Sequence, residues 1–319
     1  MSTRIDLLRR VEFPSHWPSK GVDPRSPPFE LSPRPYRLSD IPNDSVFHVT
    51  EPIYVGEDRW SQVYRGTLQS SSLGTRENVV LKVFFQPYFP CSDPDASFSS
   101  PPGTFSSPTS YRHTEELLAW AEVWAYQKLG HLQGTKIPRL HGAFQVESPA
   151  IGDSQPHFAV LMSYVGGVTI LERCIELGSV SDNGDTRWCS LVRDLFKQVH
   201  EFHQLGLCNL DIREANVKVV SSPEGSDTLV FLDFATARPS TFATELQKEQ
   251  HKVNRALVND LAHLRGLLLT ICGDVPGWKG GPKPLFKRRW DFLQWARKEH
   301  AGDAWLKEWG SDFNCWKVD

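Results

Sequence analysis

Two short apolar runs, Val217-Lys218-Val219-Val220 and Leu229-Val230-Phe231-Leu232, are β-branched or aliphatic and are separated by SSPEGSD. Ser, Pro, Gly and Asp favour a turn, so the pattern predicts a β-hairpin. Upstream, Thr186 to Leu205 carries Leu191, Val192, Leu195, Phe196, Val199 and Phe202 at roughly 3.6-residue spacing and predicts an amphipathic helix. A second helix is predicted over Tyr111 to Leu129, with Leu117, Leu118, Ala121, Trp124, Ala125 and Leu129 on or near one face. Phe47 to Leu68 reads as strand, tight turn and strand, and Val79 to Phe85 as a buried strand. Ile137 to Val146 and His157 to Val165 predict two more strands around a polar connection.

Two stretches lack such periodicity. From Met1 to about Ser45 the chain is rich in proline, with only a short periodic start at Ile5 to Val11, and an extended arm is expected there. Phe13, Trp17, Phe29 and Tyr36 give that arm apolar anchors. Pro87 to Ser110 is dominated by Ser, Pro and Asp and reads as an inserted surface loop. Pro284 to Asp319 carries Trp290, Trp295, Trp305, Trp309 and Trp316 at helical spacing, an aromatic stripe of the kind that fills a core.

Composition narrows the class. A chain of 319 residues with 39% hydrophobic content can bury a sizeable core. A formal net charge of −3 gives no electrostatic footprint for nucleic acid or an anionic membrane, so neither partner is expected. Six scattered cysteines without a C-x-x-C pair, and no apolar signal segment, suggest reduced thiols in an intracellular, cytoplasmic protein. No run approaches the roughly 18 to 20 apolar residues of a membrane span.

Three polar residues interrupt the apolar pattern where packing does not require them. Asn216 lies just before the first hairpin strand and Asp233 just after the second, so antiparallel pairing brings them to one end. Asp211 is five residues before Asn216 (216 − 211), in a loop leaving the preceding helix. Singly, each is an ordinary turn or cap residue. Together, two carboxylates and an amide oxygen make a hard, oxygen-rich site suited to Mg²⁺ with phosphate. Lys82 adds a cation in the middle of an apolar strand, where it must face solvent or meet an anion. His200 and His203, three apart on a helix, have no further ligands nearby to complete a metal set.

The order D-I-R-E-A-N, strand pair, D-F-A resembles the catalytic loop and metal motif of the protein-kinase-like superfamily, H-R-D-L-x-x-x-N and D-F-G. V-G-E-D-R-W-S-Q-V resembles that family's phosphate-covering loop, with Gly56, Asp58 and Ser61 at the glycine positions and Val63 at the valine. V-V-L-K resembles V-A-I-K, which makes Lys82 the residue that binds the α- and β-phosphates of ATP. Its partner should be a glutamate on the next helix. Glu122 is preferred over Glu115 and Glu116, whose first-turn positions suit dipole partners.

The resemblance implies an α+β, bilobal kinase-like fold in a divergent, fungal-type form with a shortened large lobe. Its small β-rich lobe would span 46–165 with the 87–110 insertion, and its mainly helical lobe 166–319 with Trp-rich C-terminal helices. It further implies ATP and Mg²⁺ as cofactors. Asn216 and Asp233 would hold the metal, Asp211 would orient and deprotonate an acceptor hydroxyl, and Arg213 would steady the γ-phosphate. Gly56 and Val63 would cover the nucleotide. Met162 would stand beside the adenine, backbone groups of Ser163, Tyr164 and Val165 would bond its edge, and Gly166 and Gly167 would lead into the large lobe. Asp260, in V-N-D-L-A-H-L-R-G, would cap the catalytic loop.

The chain also departs from the family pattern. Asn209 and Leu210 replace the H-R of H-R-D, Ala235 replaces the glycine of D-F-G, and A-P-E is absent. Leu210 cannot receive a phosphate on the following loop as arginine would. Three functions are therefore expected in turn: a phosphotransferase acting on a small molecule or an atypical protein acceptor, a pseudokinase that binds or scaffolds, and a kinase fold used for adenylyl transfer.

Overall fold

A computed structural model describes residues 4–11, 41–42, 45–56, 59–72, 74–85, 115–147, 155–179, 187–208, 210–239, 255–271 and 294–306. The 87–110 insertion, most of the expected arm, Asp58, Asn209, Trp290, Trp309 and Trp316 lie outside these residues. The chain divides into two compact units: Met1–Gln127 with Arg139–Tyr164, and Lys128–Pro138 with Val165–Asp319.

The first unit holds strands β1 (Arg4–Val11), β2 (Val46–Tyr54), β3 (Ser61–Ser70), β4 (Gly74–Phe84), β5 (Leu140–Glu147) and β6 (His157–Ser163), and helix α1 (Glu115–Lys128, whose last residue belongs to the second unit). The strands form a closed barrel in the order β1-β2-β3-β4-β6-β5. Alternation explains its filling. Tyr64 and Leu68 of β3, Val79, Leu81 and Val83 of β4, and Phe144 and Val146 of β5 point inward with Ile5, Leu7 and Phe47. Their even neighbours on β4, Val80, Lys82 and Phe84, therefore point out of the barrel.

Within the stretch 1–45, expected as an arm, residues 4–11 form strand β1. Residues Arg4–Val11 pair with β2 on one side and with β5 on the other, and thereby close the sheet. Ile5 and Leu7, two apart, share one face of the strand and are buried. Glycine is needed at position 66, where a Cβ would stand 2.1 Å from the carbonyl oxygen of His48.

His141 of β5 is buried, and Arg76 Nη1 lies 3.1 Å from its Nδ1. A guanidinium only donates, so Nδ1 accepts and the ring is neutral. Burial, then Arg76 and Arg139, lower its pKa from 6.5 to about 4. Between those values the unfolded chain binds a proton that the folded chain refuses, so stability falls as pH drops from 6.5 towards about 4. His141→Gln is expected to flatten that part of the pH profile in denaturant melts. An unchanged slope would show that other groups set it.

The second unit contains β7 (Val168–Thr169), α2 (Ile170–Ser179), α3 (Arg187–Gln204), β8 (Leu207–Cys208), β9 (Val217–Ser221), β10 (Asp227–Phe231), β11 (Arg238–Pro239) and α4 (Arg255–Ile271). The sheets run β10-β9-β7 and β11-β8. Thr169 and Glu172 form a capping box at the start of α2: Thr169 N–H donates to Glu172 Oε2 at 2.6 Å, and Glu172 N–H to Thr169 Oγ1 at 3.2 Å. Gly167 has φ +94°, and a Cβ there would lie 2.2 Å from Val219 O, so the backbone passes β9 where only glycine fits. No helix among the described residues is long and apolar enough to cross a membrane.

Candidate functional site

In the second unit, the predicted hairpin forms with Val217 opposite Phe231. Leu232 N–H donates to Asn216 O at 2.8 Å, which extends the pairing to the residues flanking the strands. Asn216 therefore sits at the hairpin end, with Asp233 one residue beyond its partner. Asn216 Nδ2 donates to both the carbonyl and the Oδ2 of Asp211, at 2.9 and 3.0 Å. Both amide hydrogens are thereby directed to Asp211, which leaves Asn216 Oδ1 as the atom suited to a cation. Arg213 Nε stands 3.0 Å from the same Asp211 Oδ2.

Asp233 has φ +62°, a left-handed conformation that few residues other than glycine adopt. Its Oδ1 accepts from Ala235 N–H at 3.3 Å, so the short side chain supports its own turn. Phe234 is buried and packs edge-on against Phe202 of α3, 5.9 Å between centroids. Backbone strain of this kind gathers at functional sites. Among the described residues no three His, Cys, Asp or Glu side chains gather to hold a metal. The carboxylates of Asp211 and Asp233 and the amide oxygen of Asn216 are hard oxygen donors, the kind that Mg²⁺ takes.

The loop that carries Asp211 is anchored through Leu210. Its N–H donates to Oδ1 of Asp260, which is fully buried on α4. His263, one turn on, donates from Nδ1 to Leu210 O at 2.9 Å. Asp260 Oδ2 lies 3.0 Å from His203 Nε2 on α3. His203 was thus readable in sequence only as a histidine without metal partners, and its role is to bridge α3 to α4. Leu210 itself is buried, where the family motif would place an arginine. Nearby Cys208 is pushed up to about 12, mainly by burial and by the Asp260 charge, which makes it inert as a nucleophile.

In the first unit, Lys82 Nζ and Glu122 Oε2 are 2.8 Å apart, with side-chain exposures of 5% and 0%. Glu122 is therefore the glutamate that meets Lys82. Glu115 lies in the first turn of α1, as expected of a dipole partner, and also takes His157 Nδ1 on Oε1 at 3.0 Å and Phe158 N–H on Oε2 at 3.4 Å. Met162 is buried on the outer face of β6, where Tyr126 of α1 donates its hydroxyl to the sulfur at 3.5 Å.

Of the backbone groups of Ser163, Tyr164 and Val165 expected to bond adenine, two N–H groups are engaged within the fold. Ser163 N–H bonds Arg139 O at 2.9 Å, and Tyr164 N–H bonds Asn78 O at 2.8 Å. Tyr164 also lies under Arg65, 4.0 Å from the guanidinium to the ring centroid.

The turn after β2 holds Gly56, and Val63 lies on β3 opposite Lys82. Gln62, which sequence reasoning passed over, closes this turn. Gly56 N–H donates to Gln62 Oε1 at 2.9 Å, and Gln62 Nε2 donates to Gly56 O at 2.8 Å. A polar residue in phase with the buried Tyr64 and Leu68 was the available signal.

No protein-family model matches the chain, and no curated protein matches it. Among solved structures, the chain is similar to the kinase domain of Mycobacterium tuberculosis PknI, at 18% identity over 78% of this chain and 84% of that one, with a TM-score of 0.40. A double mutant of the same kinase domain gives 20% identity over 78% and 83%, with a TM-score of 0.42.

Proposed function

We propose that this chain is a divergent, kinase-like ATP-dependent phosphotransferase. The observation that carries the reading is the hairpin end, where Asn216 is bonded to Asp211 and Asp233 takes a left-handed conformation. Asn216 Oδ1 and the Asp233 carboxylate would hold Mg²⁺, and Lys82, paired with Glu122, would meet the α- and β-phosphates. Mg²⁺, when bound, neutralises charge on the β- and γ-phosphates. Asp211 accepts the acceptor's hydroxyl proton as the new oxygen–phosphorus bond forms and the bridge to the β-phosphate breaks, releasing ADP. Arg213 is poised beside Asp211 to meet the γ-phosphoryl oxygens. With no A-P-E segment in the sequence, the acceptor is a small molecule or an atypical protein hydroxyl.

A second reading, a nucleotide-binding pseudokinase, is favoured by Gln62. Both backbone groups of Gly56 are engaged by its side chain, so this turn offers phosphate less than a glycine-rich loop does. Calorimetric titration with Mg²⁺-ATP, and ATP labelled in its γ-phosphoryl group with a panel of acceptors, separate the readings. Binding with labelled product is expected. Binding without product supports the pseudokinase, and addition of AMP by mass indicates adenylyl transfer. Asp233→Asn is expected to weaken Mg²⁺-dependent binding at least about tenfold; wild-type affinity in that variant would overturn the metal assignment.

A further inference from the structure

The first unit contains a buried acid–base pair that the proposed chemistry does not use. Glu115 and His157 join the first turn of α1 to the first residue of β6, with side-chain exposures of 11% and 3%. The carboxylate takes two donors, His157 Nδ1 and Phe158 N–H, so it grips two consecutive residues of the strand. The His157 ring is also edge-on to Phe85, just beyond β4, at 4.6 Å between centroids.

The spacing along α1 gives this pair its meaning. Glu122 is seven residues after Glu115 and Tyr126 is four after Glu122, so all three lie on one stripe of the helix. Their partners also follow in order. Glu115 meets His157 at the start of β6, and Tyr126 meets Met162 near its end. Between them, Lys82 stands opposite Val160 of β6 in the sheet register.

The two rulers agree. From Glu115 to Tyr126 the helix rises about 16–17 Å, and from His157 to Met162 the strand advances about 17 Å. From Glu115 to Glu122 is about 10 Å, as is His157 to Val160. An anchor at each end of β6 thus brings Glu122 level with Lys82.

We infer that Glu115 and His157 are positioning residues that fasten α1 to the barrel and hold Glu122 against Lys82, so that the ion pair is assembled by the fold without a phosphorylation event. The inference rests on the phosphotransferase reading for its catalytic consequence and on unit-internal geometry for the tether itself. It accords with Leu210, which offers no cation to an incoming phosphate.

The test compares His157→Ala, His157→Asn and His157→Gln in the full chain. Asparagine presents its amide N–H close to where Nδ1–H stood, whereas glutamine reaches one methylene further. His157→Ala and His157→Gln are expected to lower kcat/KM for Mg²⁺-ATP by about tenfold or more, with His157→Asn within about twofold of wild type. Equal losses in the asparagine and alanine variants, tracking their melting temperatures, would reduce the pair to general packing and overturn the inference. So would full activity in His157→Ala. Hydrogen exchange over 115–128 reads the tether without turnover. Faster exchange in His157→Ala but not in His157→Asn supports it even if wild type transfers no phosphate, in which case only the phosphotransferase reading fails. Unchanged protection in His157→Ala overturns it.

Discussion

Asp211→Asn is expected to lower kcat by about a thousandfold while leaving Mg²⁺-ATP affinity within about twofold, because only the proton-accepting step is removed. The substitution keeps the shape of the side chain. Its amide oxygen can still accept from Asn216 Nδ2, which now bonds Asp211 Oδ2 at 3.0 Å. The pair with Arg213 loses its charge, but both partners are partly exposed, so the stability cost stays below about 1 kcal/mol. Steady-state kinetics, calorimetry and a thermal melt on the same preparation check the three parts. Undiminished turnover would remove Asp211 from the chemistry and overturn its assignment as the proton acceptor.

Glu122→Leu should destabilise the fold by about 3–5 kcal/mol, since it leaves the Lys82 ammonium buried without its carboxylate. A double change, Lys82→Met with Glu122→Leu, should recover most of that loss, because two apolar side chains of similar volume need no partner. The double variant should nevertheless remain inactive. Denaturant melts of the two single variants and the double variant close the cycle. If the double variant is no more stable than Glu122→Leu, the pair contributes by packing and not by charge. The same cycle separates stability from function at this site, since recovered folding with lost nucleotide affinity assigns the charges to ligand binding.

Much of the placement of the candidate residues was legible because they contradict their surroundings. Lys82 stands out as a cation inside Val79-Val80-Leu81-Val83, and its alternation with Leu81 and Val83 places it outside the barrel wall. Asn216 and Asp233 were legible because hairpin geometry is local: the turn residues set the pairing that brings the two ends together. Glu122 could be chosen by its place near the helix end, although the stronger reason, the seven-residue spacing from Glu115, depends on a partner 42 residues away (157 − 115). His203 and Gln62 remained hidden for the same reason. Each is a common polar residue whose meaning comes from what it meets, Asp260 across 57 positions for one and the Gly56 backbone for the other.

The first strand was the least legible element. Its Ile5 and Leu7 give one buried face, too short a pattern to outweigh the prolines that follow, and both of its partners come later in sequence. That arrangement orders events during synthesis. Leu7 pairs with Val146, 139 positions further on (146 − 7), so the closing ladder cannot exist until β5 has emerged from the ribosome. Until then one long border of the nascent sheet stands open with its amides and carbonyls unmatched, the condition under which growing chains associate wrongly. At about 5–20 residues per second those 139 residues take about 7–28 s, so β1, which can meet β2 early, keeps its other edge open through that interval before it seals the barrel.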